Sequence, residues 1–194
     1  MQDQVALSSA VRCILKPHHS LLRKEMERAA DLTGSVILEQ RPPLCRTLLP
    51  LYRLFQELRS DLEDHLESQD ARLFPRLLEI EAGLREGERP LRSTDDVSEA
   101  LRLLKYGQLT LTSVLDEMRA LTHGFTAPPD ACECYGELLD VLAGIQMEVA
   151  SEVRMEGNVL FPRAAELLER ARRRQAGARG AREHCAPHGL PGVM

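Results

Sequence analysis

The chain has 194 residues, of which 43% are hydrophobic and only 4% aromatic, with no tryptophan. Its formal net charge of −5 argues against nucleic acid or an anionic membrane as a partner. The length suits one domain, and the many Leu, Ala, Glu and Arg residues favour helix over sheet, so we expect an all-α domain.

Four segments with an apolar period of about 3.6 residues predict an up-down four-helix bundle. Pro17 is expected to kink the first helix, and Gly124 is expected to cap the third helix at its C-terminus. The predicted helices cover residues 8–39, 44–69 with a short extension over 75–84, 96–123, and 131–157 with an extension over 162–174.

Residues 1–174 are therefore predicted to form the bundle domain, and residues 175–194, rich in Arg, Gly, Ala and Pro, are predicted to be a disordered tail. No apolar run approaches the roughly 18 residues that a membrane span needs, and the N-terminus lacks the hydrophobic core of a secretion signal. Five cysteines without a regular framework spacing suit a reducing compartment. We expect a cytoplasmic protein.

One phrase occurs in both the second and the fourth predicted helix. Its two copies are His65, Gln69 and Leu73-Phe74-Pro75-Arg76, and, at the same spacing, Glu152, Glu156 and Leu160-Phe161-Pro162-Arg163. Side chains four residues apart share a helix face, so each copy directs two polar groups the same way before a proline. Two such helices facing each other would form a polar site inside an apolar bundle, where polar groups need a metal or each other.

These motifs resemble a hemerythrin-like domain. The resemblance covers about residues 11–168 and also includes the opening His18 to Glu25 and the turn Pro128 to Cys132; its most specific element is Met155 to Arg163. Within that superfamily the chain is most similar to di-iron proteins implicated in repairing iron–sulfur clusters after nitrosative or oxidative stress. The resemblance implies two irons held between four helices by histidines and bridging carboxylates, and O2, NO or another small ligand as the binding partner.

The resemblance places seven metal-ligand positions in this chain, and only three keep the expected residue type. The retained residues are His19, His65 and Glu156, and the substituted positions carry Gln40, Gln69, Gln108 and Glu152. A neutral amide is a poor replacement for an imidazole or a bridging carboxylate, so we do not expect an ordinary di-iron centre.

Two alternatives remain open for the polar site. His19, His65, Glu152 and Glu156 form a ligand set for one Fe(II), Mn(II) or Zn(II) ion. In the metal-free alternative, the same groups pair with one another, and the substituted glutamines complete the hydrogen bonds. The protein would then be either a stress-linked metal or small-ligand binder, or a non-catalytic binding or regulatory module. No catalytic motif is evident, and no protein partner can be assigned.

Three other features have both a chemical and a structural interpretation. Cys132 and Cys134 form a Cys-X-Cys motif near a helix start, where the helix dipole would stabilise a thiolate; they could have a redox or metal-relay role, or be ordinary reduced cysteines. The group His184, Cys185 and His188 could chelate a soft metal or be an incidental flexible cluster. The basic run Arg170 to Arg174 could attract an acidic partner or nucleic acid, or be a solvated helix end.

Overall fold

A computed structural model describes residues 7–39, 45–86 and 94–184. The regular elements of these ranges are all helical. In chain order they are α1 (Leu7–Ala10), the π-helical segment π1 (Val11–Leu15), α2 (Lys16–Glu39), α3 (Cys45–Glu67), π2 (Ser68–Leu73), α4 (Phe74–Glu86), α5 (Asp95–Leu121), α6 (Glu133–Met155), π3 (Glu156–Leu160) and α7 (Phe161–His184). Adjacent elements run on without a break, so they form four long helices over 7–39, 45–86, 95–121 and 133–184.

The four long helices pack as the predicted up-down bundle. His19, near the start of α2, contacts Asp70, just beyond α3, and Glu152, near the end of α6. The start of α2 therefore meets the ends of α3 and α6, so α2 is antiparallel to both. Helix α5 packs against α3 and α6 and completes the bundle. The predicted fold class is confirmed.

The bundle interior contains two apolar cores separated by a polar layer. The larger core lies between α2, α3, α5 and α6, and the smaller one joins α1, π1, α4, α7 and the start of α5. On the first helix, His19 lies between Leu15 of the smaller core and Leu22 of the larger one. Each of the other long helices also carries buried polar residues between the two apolar cores. Together these side chains form one polar layer across the bundle.

Each of the three π-helical segments ends two residues before a proline. The amides of Lys16, Phe74 and Phe161 bond to carbonyls five residues earlier, and each of these residues immediately precedes a proline. A proline ring clashes with the carbonyl four residues before it in an α-helix, and the wider π turn makes room for the ring. The predicted interruptions at Pro17, Pro75 and Pro162 are therefore π segments within continuous helices.

The C-terminal ends of α5 and α7 differ from the predicted boundaries. Helix α5 ends at Leu121, and Gly124 has a φ of +82° while its amide bonds to the Arg119 carbonyl at 2.7 Å, as expected for a helix-ending glycine. Helix α7 has 24 residues and continues to His184, past the predicted end at 174.

Gln40, Cys185 and His188 lie outside the described residues. Within the described ranges, no helix has an apolar stretch that could cross a bilayer.

Candidate functional site

The polar layer collects six buried side chains from all four long helices, each no more than 8% exposed. They are His19, His65, Gln69, Gln108, Glu152 and Glu156. The structure thus brings together six of the seven residues that the sequence placed at one site; the seventh, Gln40, is not described. Both copies of the repeated phrase contribute, because His65 and Gln69 face Glu152 and Glu156 across the interior.

His19 is held by acidic groups on both sides of its ring. Its Nε2 atom lies 2.9 Å from Glu152 Oε1, and its Nδ1 atom lies 3.1 Å from Asp70 Oδ1. Phe74 stacks on the ring, with centroids 5.6 Å apart. Burial works to lower the pKa of His19, but attraction to Glu152 and Asp70 outweighs it, so the pKa is raised.

Asp70 is a site residue that sequence reasoning missed. Its second carboxylate oxygen accepts a hydrogen bond from Arg23 at 2.8 Å, which fixes the carboxylate against the His19 ring. The available signal was an acidic residue directly after Gln69. In an ordinary α-helix, adjacent residues point about 100° apart, so Asp70 would not be expected to share the face of Gln69. Segment π2 changes that spacing.

His65 is neutral and bonded within its own helix. Its Nε2 atom lies 2.7 Å from Gln69 Nε2, so the amide donates and the ring nitrogen accepts. The ring proton then resides on Nδ1, and burial lowers the pKa of His65. Gly107 of α5 lies beside this ring, and a Cβ atom there would lie 3.4 Å from His65 Nδ1, in van der Waals contact.

Glu156 carries the strongest electrostatic perturbation in the layer. Gln108 Nε2 donates a short hydrogen bond to Glu156 Oε2, while Oε1 lies 3.9 Å from His65 Nε2. Burial, followed by the charge of Glu152, raises the pKa of Glu156 to about 8. Without a cation, Glu156 is therefore mostly protonated at neutral pH.

Four buried atoms of the layer have no hydrogen-bond partner among the described residues: His19 Nε2, Gln69 Oε1, Glu152 Oε1 and Glu156 Oε1. His19 Nε2 and Glu152 Oε1 nevertheless lie 2.9 Å apart as a buried ion pair, as the metal-free interpretation expects. Gln69 and Gln108 each use their amide nitrogen, whereas Gln69 Oε1 and Glu156 Oε1 stay unpaired among the described residues.

The neighbouring His18 has a different environment from His19. It is partly exposed and its Nδ1 atom forms a short contact with Glu148, one helical turn before Glu152. His19, which the sequence places among the metal-ligand positions, faces inward and is only 1% exposed. The pair formed by His18 and Glu148 lies at the solvent side of the buried layer.

Comparisons with known proteins agree with the fold. A family profile described as the hemerythrin HHE cation binding domain matches residues 13–164. The chain is 23% identical over 153 residues to the iron-sulfur cluster repair protein ScdA of Staphylococcus haemolyticus, a match that covers 79% of this chain and 65% of that protein. It is 22% identical over 159 residues to the Staphylococcus epidermidis protein of the same name, with 82% and 67% covered. The chain spans about two thirds of the length of these relatives.

Proposed function

The chain belongs to the hemerythrin HHE cation binding domain family, and from that premise we propose that its polar layer binds a single divalent cation, with iron as the first candidate. The observation that carries the proposal is a buried group of ligand-type atoms in which Gln69 Oε1 and Glu156 Oε1 have no hydrogen-bond partner among the described residues, beside the ion pair of His19 Nε2 and Glu152 Oε1. Each is a nitrogen or oxygen atom of a type that binds Fe(II), Mn(II) or Zn(II). Leaving such atoms unpaired in an apolar interior costs free energy that a bound cation would offset.

The charge of the polar layer supports the binding of one divalent ion. Two glutamates and two neutral imidazoles carry a charge of about −2 when both carboxyls are ionised, which one divalent ion neutralises. In the absence of a cation, burial and then the charge of Glu152 raise the pKa of Glu156. A pair of ferric ions would need more anionic ligands than this layer supplies, since Gln69 and Gln108 are neutral.

Distances support His65, Glu152 and Glu156 as ligands, a group that does not include His19. Ligand atoms of His65, Glu152 and Glu156 all lie within 4.8 Å of one another. Metal–ligand bonds of about 2.1 Å place neighbouring ligand atoms roughly 3 to 4 Å apart, so small side-chain movements suffice. His65 must exchange its hydrogen bond from Gln69 for the ion, and the amide of Gln69 can then turn its oxygen inward.

The biological role that we propose follows the relatives, which are named as iron-sulfur cluster repair proteins. A bound ferrous ion would supply a coordination position for O2 or NO. The protein residues would hold the ion in a dry interior, orient His19 through Asp70, and accept or release the Glu156 proton. We assign no catalytic residue. A cytoplasmic location remains part of this proposal and rests on the cysteine content.

The test is thermal unfolding with and without added Fe(II), under anaerobic conditions. A ligand at about 100 times its dissociation constant stabilises a protein by about 2.7 kcal/mol. That corresponds to a rise in Tm of about 5 to 10 °C for a domain of this size. We expect this rise for the wild type and its loss in Glu152→Gln.

The matched control is Glu148→Gln, which changes a partly exposed glutamate on the same helix, one turn earlier. This variant should keep the full rise in Tm. If the wild type shows no rise, or if both variants respond alike, the single-cation proposal is wrong. The first of these results would favour the metal-free binding or regulatory module.

A further inference from the structure

A second group of metal-binding side chains lies at the opposite end of the α2 and α6 pair. Glu39 is the last residue of α2, and Cys132 and Cys134 lie at the start of α6. His19 lies near the start of α2 and Glu39 is its last residue, so at about 1.5 Å per residue the two groups lie about 30 Å apart. The second group is therefore separate from the polar layer.

The three side chains converge on one point. The sulfur atoms of Cys132 and Cys134 are 2.6 Å apart, and Cys134 Sγ lies 3.4 Å from Glu39 Oε2. The three ligand atoms are all within 4.8 Å of one another. Cys132 is the residue before α6 and has an extended backbone, which lets its side chain lie beside that of Cys134 in the first turn. Neither Cys132 nor Cys134 forms a disulfide, and both are partly exposed to solvent.

The electrostatics of the group favour a cation over a free reactive thiolate. Burial, the Cys132 thiol and the Glu39 carboxylate raise the pKa of Cys134 to about 12. Burial and these two neighbours therefore favour the protonated thiol at Cys134 rather than the expected thiolate. Two sulfurs and a carboxylate can share a small volume once a positive ion neutralises them.

We propose that Glu39, Cys132 and Cys134 form a second cation site, which takes a thiophilic divalent ion of the Zn²⁺ and Cd²⁺ class. Two thiolates and a carboxylate are ligands that Zn²⁺ accepts, and three protein ligands leave a fourth position open to solvent. Binding releases the two thiol protons to solvent, and the ion bonds to both sulfurs and to one carboxylate oxygen. The bound ion would tie the end of α2 to the start of α6.

The experiment is a titration of the reduced full-length chain with Cd²⁺, without oxygen and with a phosphine as reductant. Bonds between Cd²⁺ and thiolate absorb in the ultraviolet, whereas binding to imidazole and carboxylate in the polar layer adds no such band. We expect the band to saturate at one ion per chain. Because loss of an outer-shell partner alone costs about 10 to 100-fold in affinity, Cys134→Ser should weaken binding by more than about 100-fold and Glu39→Gln by at least about 10-fold.

Two control variants make the outcome decisive. Cys185→Ser changes the cysteine of the other His and Cys group in the sequence, and Glu152→Gln changes the polar layer; both should leave the final intensity of the thiolate band unchanged. The proposal is overturned if the wild type shows no thiolate band, if Cys134→Ser keeps it, or if only Cys185→Ser loses it. Because the band does not depend on Glu152, this result is independent of the single-cation proposal.

Discussion

Replacing Glu156 by glutamine removes an ionisable group while keeping the shape of the side chain. In the metal-free protein, burial and Glu152 raise the pKa of Glu156 from 4.5 to about 8. The native state therefore holds a proton that the unfolded chain has lost, and the protein loses stability as pH rises from about 4.5 to about 8. Glutamine is neutral in both states and escapes this loss.

The magnitude follows from the size of the pKa shift. At pH 7, about 2.5 units above the unfolded pKa, the loss for Glu156 is about 3 kcal/mol at about 1.4 kcal/mol per unit. Glu156→Gln should therefore raise the Tm of the metal-free protein by about 6 to 12 °C at pH 7, at about 2 to 4 °C per kcal/mol. Gln108 can still donate its hydrogen bond, because the new side chain keeps a carbonyl oxygen.

The assay is calorimetric unfolding of chelator-treated protein between pH 5 and pH 8, with Glu148→Gln as the control for loss of a less buried carboxylate. The advantage of Glu156→Gln should shrink as pH falls, and the variant should gain no stability from Fe(II). The reasoning is refuted if the metal-free variant is less stable than the wild type at pH 7, or if the difference between them does not change with pH.

Three further outcomes are expected. Because a cation displaces the Glu156 proton, affinity for Mn(II) should rise about tenfold per pH unit between about pH 6 and 7.5 in calorimetric titrations, and a flat profile would contradict this. Asp70→Asn should weaken Fe(II) binding by about 10 to 100-fold while changing the metal-free Tm little; unchanged affinity would show that Asp70 does not position His19. Gln69→Glu should lower metal-free stability, through a third buried carboxyl, and tighten Fe(II) binding; lowered stability without tighter binding would exclude position 69 from the site.

The sequence predicted the bundle and the level of its polar layer because both depend on local periodicity. Leu22, Met26 and Leu62 recur at helical spacing and are buried as expected, and so are His19 and His65. The repeated phrase preceding each Leu-Phe-Pro-Arg sequence marked the two helices that face each other. These features need no information about distant contacts.

The π segments and the details of the polar network could not be predicted in the same way. In the sequence, a proline after a helical pattern predicts that the helix is interrupted. In the structure, Leu73 and Leu160 pack into the smaller core, and both helices continue through a π turn. Asp70 contacts His19, which is 51 residues away in the chain, and Glu39 contacts Cys134, which is 95 residues away. Side-chain pairing over such separations is set by the tertiary fold.

The central claim is tested most directly by the metal content of the polar layer. Untagged protein carrying Cys132→Ser and Cys134→Ser, which removes the second site, would be purified without oxygen from iron-supplemented cells and subjected to elemental analysis. We expect close to one divalent ion per chain, mainly iron, and its loss when Glu152→Gln is added. Two ions per chain would contradict the single-cation site, and a negligible metal content in both proteins would contradict metal binding altogether.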